Sequence, residues 1–333
     1  MPRAVAVSPG TKTPEPVAAV EVRDLTKRYP GDVRALDGVG FTVPTGTVFG
    51  LLGPNGAGKS TTMKILTTLA RPDSGTVRIA GLDVVAEPRR VRRVIGCVTQ
   101  RSGVDPAATG RENLTLQGRL HGMSRAELAR RVDELVELLD VGAVAERVAG
   151  GYSGGTKRKL DIAMSLIHRP RVLFLDEPTT GLDPEIRSEI WEHIARLARQ
   201  ERLTILLTTH YLEEADRLAD RVSILDRGRV VAEGSPGRLK DDLNGDAVVV
   251  ELVEPGMVGA ARRALDGLTL VREVVAEGVA VRARVDDAAV AVPQVLAALT
   301  ADGVAAASVT VAMPSLHDVY LHYAGRSIRE TER

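Results

Sequence analysis

Cysteine is nearly missing from this chain: Cys97 stands alone among 333 residues. No intrachain disulfide can form, and a reducing compartment is expected. Cys97 sits in the apolar run Val94 to Val98, where a packed, unreactive thiol is the ordinary outcome. A surplus of one charge is missing too. The 44 basic and 44 acidic residues cancel, which argues against a dominant pull toward nucleic acid or acidic lipid. Long apolar runs are absent as well. No stretch approaches the roughly 18 to 20 residues that cross a bilayer, and the richest, Val172–Leu175 and Thr204–Leu207, have strand length. The start of the chain lacks a charged-then-apolar leader pattern. Residues 1 to 16, with Pro2, Pro9, Pro14 and Pro16, read as a disordered arm. The chain is thus expected in the cytosol, or at a membrane only through a partner.

What is present is an alternation of strands and helices. Short strands are expected at Val17 to Val22 and Phe41 to Val43, followed by the buried run Val48 to Leu52. A helix is expected over Thr61 to Leu69, with strands at Thr76–Ile79 and Val94–Thr99. From Arg101 to His168 the pattern is helical. Ser124 and Glu127 have the spacing of a capping box, and Leu128, Val132, Leu135, Val136 and Leu139 recur at helical spacing. A further helix starts at Ser153 and runs through Leu160, Ile162, Ala163 and Ile167. Strands at Val172–Leu175, Thr204–Thr208 and Arg221–Leu225 then alternate with helices at Pro184–Gln200 and Leu212–Leu218. Such alternation argues for a parallel sheet with crossover helices. Past about Lys240 the composition turns to Val, Ala, Gly and Asp. Strand 247–253, helix 255–266, strands 268–275 and 278–284, helix 287–301 and strand 304–312 give a βαββαβ order. That order points to a ferredoxin-like unit, with a last helix after Pro314.

Chemistry concentrates in two places. Gly53-Pro54-Asn55-Gly56-Ala57-Gly58-Lys59-Ser60-Thr61 follows an apolar strand and opens a helix. Glycines there let backbone N–H groups converge on phosphate oxygens, and the helix start adds a positive field. Lys59 would set its charge over the β and γ oxygens, and Ser60 would offer a hydroxyl to magnesium. The second place is Asp176-Glu177, closing the run Val172 to Leu175. Asp176, at the edge of a parallel sheet, suits a magnesium ligand. Glu177, one residue on, points differently and suits a base or orienter for the attacking water. A triphosphate held with Mg2+ is the expected ligand.

With these motifs the chain resembles the nucleotide-binding subunits of ATP-binding-cassette (ABC) transporters over roughly residues 20 to 235. The resemblance implies a P-loop NTPase of the ABC type with an inserted helical subdomain, about 101–168, inside an ATPase unit 17–240. Residues 241–333 would form a small α+β accessory domain. Tyr152-Ser153-Gly154-Gly155-Thr156 is similar to the family signature Leu-Ser-Gly-Gly-Gln, departing at Tyr152 and Thr156. By the resemblance, Ser153, Gly154 and Gly155 grip the γ-phosphate held by a second copy. Gln100 matches the glutamine loop, which meets magnesium or water and senses the transporter partner. Gly181-Leu182-Asp183-Pro184 matches the loop facing the opposite copy; Asp183 also suits a helix cap, with Pro184 in the first turn. His210 matches the switch histidine near the γ-phosphate. Tyr29 matches the aromatic that stacks on adenine, against the plainer reading of an edge-strand tyrosine packed on its sheet.

The resemblance implies ATP acting as an adhesive between two copies, with hydrolysis releasing them. Gly110-Arg111-Glu112-Asn113-Leu114, the Tyr-Ser-Gly-Gly variant and Pro314-Ser315-Leu316-His317-Asp318-Val319-Tyr320 are similar to daunorubicin/doxorubicin-resistance ATP-binding subunits of the ABC-2 export type. The expected partners are therefore a second copy and a separate membrane permease, with no nucleic acid. A soluble ATP switch unconnected with transport is the competing class. Its members usually carry two cassettes or long coiled coils, whereas this chain has one cassette and no sustained heptads.

Overall fold

The computed structural model describes residues 18–324 except 244 and 313. The expected arm over 1–16 and the strand start at Val17 lie outside the described residues.

A six-stranded sheet carries the centre of the molecule. Its strands are β3 (Val48–Leu52), β6 (Ile95–Val98), β7 (Val172–Asp176), β8 (Thr204–Thr209), β9 (Arg221–Asp226) and β10 (Arg229–Gly234). They lie in the order β10-β9-β3-β8-β7-β6, parallel except for β10. Alternation along each strand feeds two cores at once. Leu173, Leu175, Ile205 and Leu207 enter one core; Val172, Phe174, Leu206, Phe49 and Leu51 enter the other. The first core lies under α5 (Gly154–Leu166) and α6 (Pro184–Glu201) and extends into α3 (Gly110–Leu120) and α4 (Arg125–Leu138). The second is closed by α1 (Lys59–Leu66) and by an antiparallel sheet ordered β2-β1-β4-β5. That sheet comprises β1 (Ala18–Tyr29), β2 (Val33–Pro44), β4 (Ser74–Ile79) and β5 (Leu82–Asp83).

The first hairpin is longer than expected. Instead of two short strands, β1 and β2 pair from Ala18↔Pro44 to Tyr29↔Val33, with register shifts between Val22 and Leu25 and between Lys27 and Arg28. Those irregularities break the apolar alternation that marks a strand in sequence. Buried Leu25 and Leu36 still reach the core from within the charged stretch. The first part of the chain also carries α2 (Pro88–Val94) before β6, a 3-10 turn at Ala149–Gly151 before α5, and α7 (Leu212–Leu218) between β8 and β9.

Beyond α8 (Pro236–Asp241) the tail forms a sheet of its own. β11 (Asp246–Leu252), β12 (Val271–Glu277), β13 (Ala280–Val285) and β14 (Ala306–Ala312) pair antiparallel in the order β12-β13-β11-β14. With α9 (Val258–Asp266) and α10 (Ala288–Ala301) this is the βαββαβ topology of a ferredoxin-like unit. The first helix begins later than expected, because Pro255–Met257 winds as a 3-10 turn. Strand β12 likewise starts at Val271, since a turn bonds Val271 N–H to the Leu268 carbonyl.

The last helix, α11 (Leu316–Ala324), leaves the tail sheet. Leu316, Val319 and Tyr320 join Leu52, Ala215, Val222, Ile224, Ala232 and Leu239 in one buried cluster. On its other side Asp318 pairs with Arg282 of β13 at 3.1 Å. This helix therefore ties the tail sheet to the strands beside the phosphate loop.

Candidate functional site

Ligands of parallel α/β sheets sit beyond the carboxyl ends of the strands. Here β3, β8 and β7 are neighbours, and their ends carry the expected residues. The register sets Leu52 opposite Thr209 and Asp176 opposite Thr208. The loop 53–58, the pair Asp176-Glu177 and His210 thus leave the same edge of the sheet.

The phosphate loop is held in a shape only glycine tolerates at two places. Gly53 has φ 151°, and a Cβ there would lie 2.2 Å from the Leu225 carbonyl oxygen. Gly58 has φ 111°, and its Cβ would meet the Ala35 carbonyl at 2.7 Å. The hairpin between β9 and β10 supports this loop, because the Gly228 N–H donates to the Ala57 carbonyl at 2.9 Å. Lys59 opens α1 with its side chain buried and folded back over the loop. Its Nζ donates to the Gly53 carbonyl at 2.6 Å and the Pro54 carbonyl at 3.1 Å. It also stands 3.6 Å from Glu177 Oε1. Asn55 and Gly56 are exposed at the mouth of the loop, and Ser60 and Thr61 are half-buried on the first turn of α1.

Asp176 ends β7 and accepts a hydrogen bond from Thr208 Oγ1 at 2.6 Å. Burial pushes its carboxyl above the ordinary value, against the pull of that hydrogen bond. Glu177 takes up φ 47°, an uncommon conformation for a residue with a side chain. Its N–H is pinned by the Thr208 carbonyl at 3.1 Å and by Thr208 Oγ1 at 3.0 Å. Thr180 Oγ1 donates to Glu177 Oε2 at 3.2 Å. The His210 ring sets Nδ1 3.6 Å from Glu177 Oε1, the length of an ion contact rather than a hydrogen bond. Nearby His210 above all, with Lys59 behind it, holds the Glu177 carboxyl below the usual range. His210 Nδ1 is buried and has no hydrogen-bond partner among the described residues. The His210 ring rests on Tyr211, with ring centres 4.0 Å apart, and Arg187 lies over the Tyr211 ring.

Gln100 follows β6 on the exposed surface and borders two clefts. One, of about 260 Å³, also has Asp176, Cys97 and Thr67 in its wall. The other, of similar size, is shared with Gly154, Arg158, Glu177 and Thr180. The Cys97 thiol beside Asp176 is pushed up to about 11, chiefly by burial, which leaves it protonated and inert.

Ser153 caps α5, accepting from the Thr156 N–H at 3.1 Å, and its exposed Oγ sits 2.8 Å from Thr156 Oγ1. Tyr152 is buried in the helical part, donating its hydroxyl to the carbonyls of Val144 and Arg147. Asp183 caps α6 by accepting from the Ile186 N–H at 3.0 Å, with Pro184 in the first turn. Its cap role is therefore real. Tyr29, at the end of β1, is 36% exposed with Lys27 Nζ 5.8 Å from the ring centre.

Two charged residues escaped the sequence reading. Glu214 on α7 is fully buried, and its Oε1 accepts from Thr179 Oγ1 and Trp191 Nε1, each at 2.8 Å. Burial raises its carboxyl above the usual value. It ties the segment after Glu177 to α6 and α7. Arg158 on α5 is buried against the carbonyls around Glu177. Neither is marked locally in the sequence: Arg158 stands between Lys157 and Lys159, and Glu214 follows Glu213 two residues before Asp216.

Fold and edge together define a P-loop nucleotide-binding unit whose phosphate loop faces a carboxylate pair and a histidine. The ABC transporter family profile matches residues 36–180. The chain is 46% identical over 314 residues to the daunorubicin resistance ATP-binding protein DrrA3 of Streptomyces coeruleorubidus, covering 94% of this chain and 98% of that one. It is 44% identical to the daunorubicin/doxorubicin resistance ATP-binding protein DrrA of Streptomyces peucetius, over 93% of this chain and 94% of the relative. It is also 44% identical to a Nod factor export ATP-binding protein of Burkholderia lata, over 72% of this chain and 78% of the relative. Among solved structures, cbiO1 from Clostridium perfringens, part of an ABC transporter complex, superposes with a TM-score of 0.64 at 26% identity. The match covers 68% of this chain and 92% of that one. A dimeric ATP-binding cassette in a post-hydrolysis state with ADP and Pi gives a TM-score of 0.59 at 27% identity, over 65% of this chain and 98% of that one. The chain belongs to the ATP-binding subunits of ABC transporters, and it is an ATP-binding, ATP-hydrolysing protein.

Proposed function

We propose that this chain powers an exporter of hydrophobic, drug-like cargo by closing, as a pair, on two ATP molecules. The observation that carries the reading is the 46% identity to a daunorubicin-resistance relative over 98% of that relative's length. Identity of that extent includes the tail as well as the cassette. Tail and cassette would serve as two units, divided near residue 240, with a helical part over about 101–168. No described helix is long and apolar enough to cross a membrane. The membrane path would then come from a separate permease, which would hold this chain at the cytoplasmic face.

In each copy the triphosphate would lie on the backbone N–H groups of 53–61, with Lys59 leaving its loop carbonyls for the β and γ oxygens. Tyr29 would stack on the adenine. Ser60, Asp176 and Gln100 are hard oxygen donors of the kind Mg2+ prefers, and they would hold it. The ion would neutralise phosphate charge. Glu177, kept ionised by His210 and Lys59, would accept a proton from the attacking water. His210, whose Nδ1 is buried without a hydrogen-bond partner among the described residues, would donate toward the γ-phosphate. Ser153, Gly154, Gly155 and Asp183 of the second copy would close the site. Loss of the γ-phosphate removes that bridge and lets the copies part.

The test is purification of the intact chain from membranes with its partner. A polypeptide with several apolar spans should accompany it. Recovery with ribosomes, and with no membrane polypeptide, would refute the export reading. In the same preparation, Lys59→Ala should abolish tight ATP binding, while Glu177→Gln should bind ATP and stop turnover.

A further inference from the structure

Arg158 carries four hydrogen bonds from one guanidinium, all to backbone carbonyls. Nε donates to Pro178 at 2.6 Å, Nη1 to Thr99 at 2.6 Å, and Nη2 to Asp176 at 3.2 Å and Glu177 at 3.0 Å. Three of these carbonyls belong to the turn that carries the carboxylate pair. The fourth precedes Gln100. One helical turn further along α5, Asp161 Oδ1 accepts from the Gly103 N–H at 2.9 Å. Helix α5 therefore grips the Gln100 loop at both ends, and the Glu177 turn between them. The same helix is capped by Ser153.

Arg158 is only 7% exposed. A buried guanidinium is costly unless its donors are used, and here they are spent on holding backbone rather than on a carboxylate. The place it holds is strained: Glu177 has φ 47°. Such a conformation persists only where its surroundings over-determine it. Thr208 fixes the N–H side of that residue and Arg158 fixes the carbonyl side.

We propose that Arg158 is a positioning residue for ATP hydrolysis, its guanidinium fork linking the signature-bearing helix to Glu177 and to the Gln100 loop of the same copy. Resting on the proposed roles of Ser153 and Glu177, this extends them. A signature engaged on the other copy's triphosphate displaces α5, and Arg158 carries that displacement to its own copy's Glu177. One copy's engagement thus sets the other site's readiness. Planar geometry is needed for this, since three nitrogens must face carbonyls on two separate segments. A lysine presents all its donors from one atom and cannot span them.

The test compares steady-state ATP hydrolysis and ADP affinity in the full chain carrying Arg158→Gln, Arg158→Lys or Glu177→Gln. Arg158→Lys keeps the charge and guards against a fold lost with it. A misplacement of about 1 Å can cost on the order of 100-fold in rate. Arg158→Gln should accordingly lower kcat about 10- to 100-fold, with KM and ADP Kd held within about twofold. Arg158→Lys should recover only part of the loss. An unchanged kcat in Arg158→Gln, or full recovery by lysine, overturns the proposal. So does a fall in kcat matched by an equal fall in ADP affinity, which marks a merely structural role. The parallel variant separates the two readings. Normal turnover by Glu177→Gln removes the base assignment; a dead Glu177→Gln beside a normal Arg158→Gln removes the Arg158 proposal alone.

Discussion

Tyr320 offers a direct measure of how firmly the tail is joined to the nucleotide-binding body. It is fully buried on α11 and packs with Leu52, Val222 and Ile224 beside the phosphate loop. Its hydroxyl lies 3.4 Å from Asp226 Oδ1, a long and weak hydrogen bond. Truncating a buried aromatic to alanine costs about 3–5 kcal/mol, because a cavity replaces lost contacts. Removing only the hydroxyl should cost about 0.5–1.5 kcal/mol. For a chain of this size each kcal/mol lowers the melting temperature by about 2 °C. Tyr320→Ala should therefore melt about 6–10 °C lower, and Tyr320→Phe about 1–3 °C lower. The control is Val279→Ala in the tail, where Val279 is 46% exposed and no shift is expected. Differential scanning calorimetry of the full chain with ADP saturating reads all three. If Tyr320→Ala melts within 2 °C of the parent, α11 is not seated on the body and the account of the tail fails.

Ser153→Arg should leave ADP binding by single copies intact and abolish turnover, at a capping cost of about 1 kcal/mol. Undiminished turnover would remove the role assigned to the signature. Truncation after Lys240 should keep ADP binding but lower the melting temperature, because Leu52 and Val222 lose α11; loss of binding in calorimetry would show the unit boundary misplaced. His168 is held down to about 4, mainly by burial, from an ordinary 6.5. The unfolded chain then binds the extra proton first, so stability should fall as pH drops from 6.5 toward 4. Urea midpoints at pH 7 and pH 5 check this. His168→Gln, whose amide can still reach the Ile95 carbonyl, should flatten the difference, and an unchanged difference counts against the assignment.

Legibility in the sequence followed locality. The phosphate loop and the carboxylate pair could be read because their chemistry is contiguous and their flanking strands are short and wholly apolar. The tail's element order was equally plain, since Val-rich strands and Ala-rich helices alternate there. The long hairpin was not, because Arg23, Asp24, Lys27 and Arg28 interrupt its alternation while the backbone shifts register. Nor could α11 be assigned a seat. Its apolar residues announce a buried face but not which surface they bury against. Arg158 and Glu214 were invisible for a related reason: on paper each is one charge among many, and only burial gives it a task.

The two departures in the signature make sense together once burial is known. Tyr152 replaces an aliphatic residue, and its hydroxyl reaches the carbonyls of Val144 and Arg147, the first of which also accepts from the Arg147 N–H at 2.8 Å. Gly110, at the start of α3, makes room for it: a Cβ there would lie 2.7 Å from that hydroxyl. Thr156 is shorter than glutamine, yet its hydroxyl stays within 2.8 Å of Ser153 Oγ and its N–H is capped by the same oxygen. The polar reach lost outward is turned inward, fixing the rotamer of the serine proposed to meet the second copy's phosphate. Tyr152 thus anchors the helix start on one side and Thr156 steadies the serine on the other. An α5 secured at its first turn, and bonded through Arg158 to the turn bearing Glu177, is suited to move as a rigid lever rather than to fray.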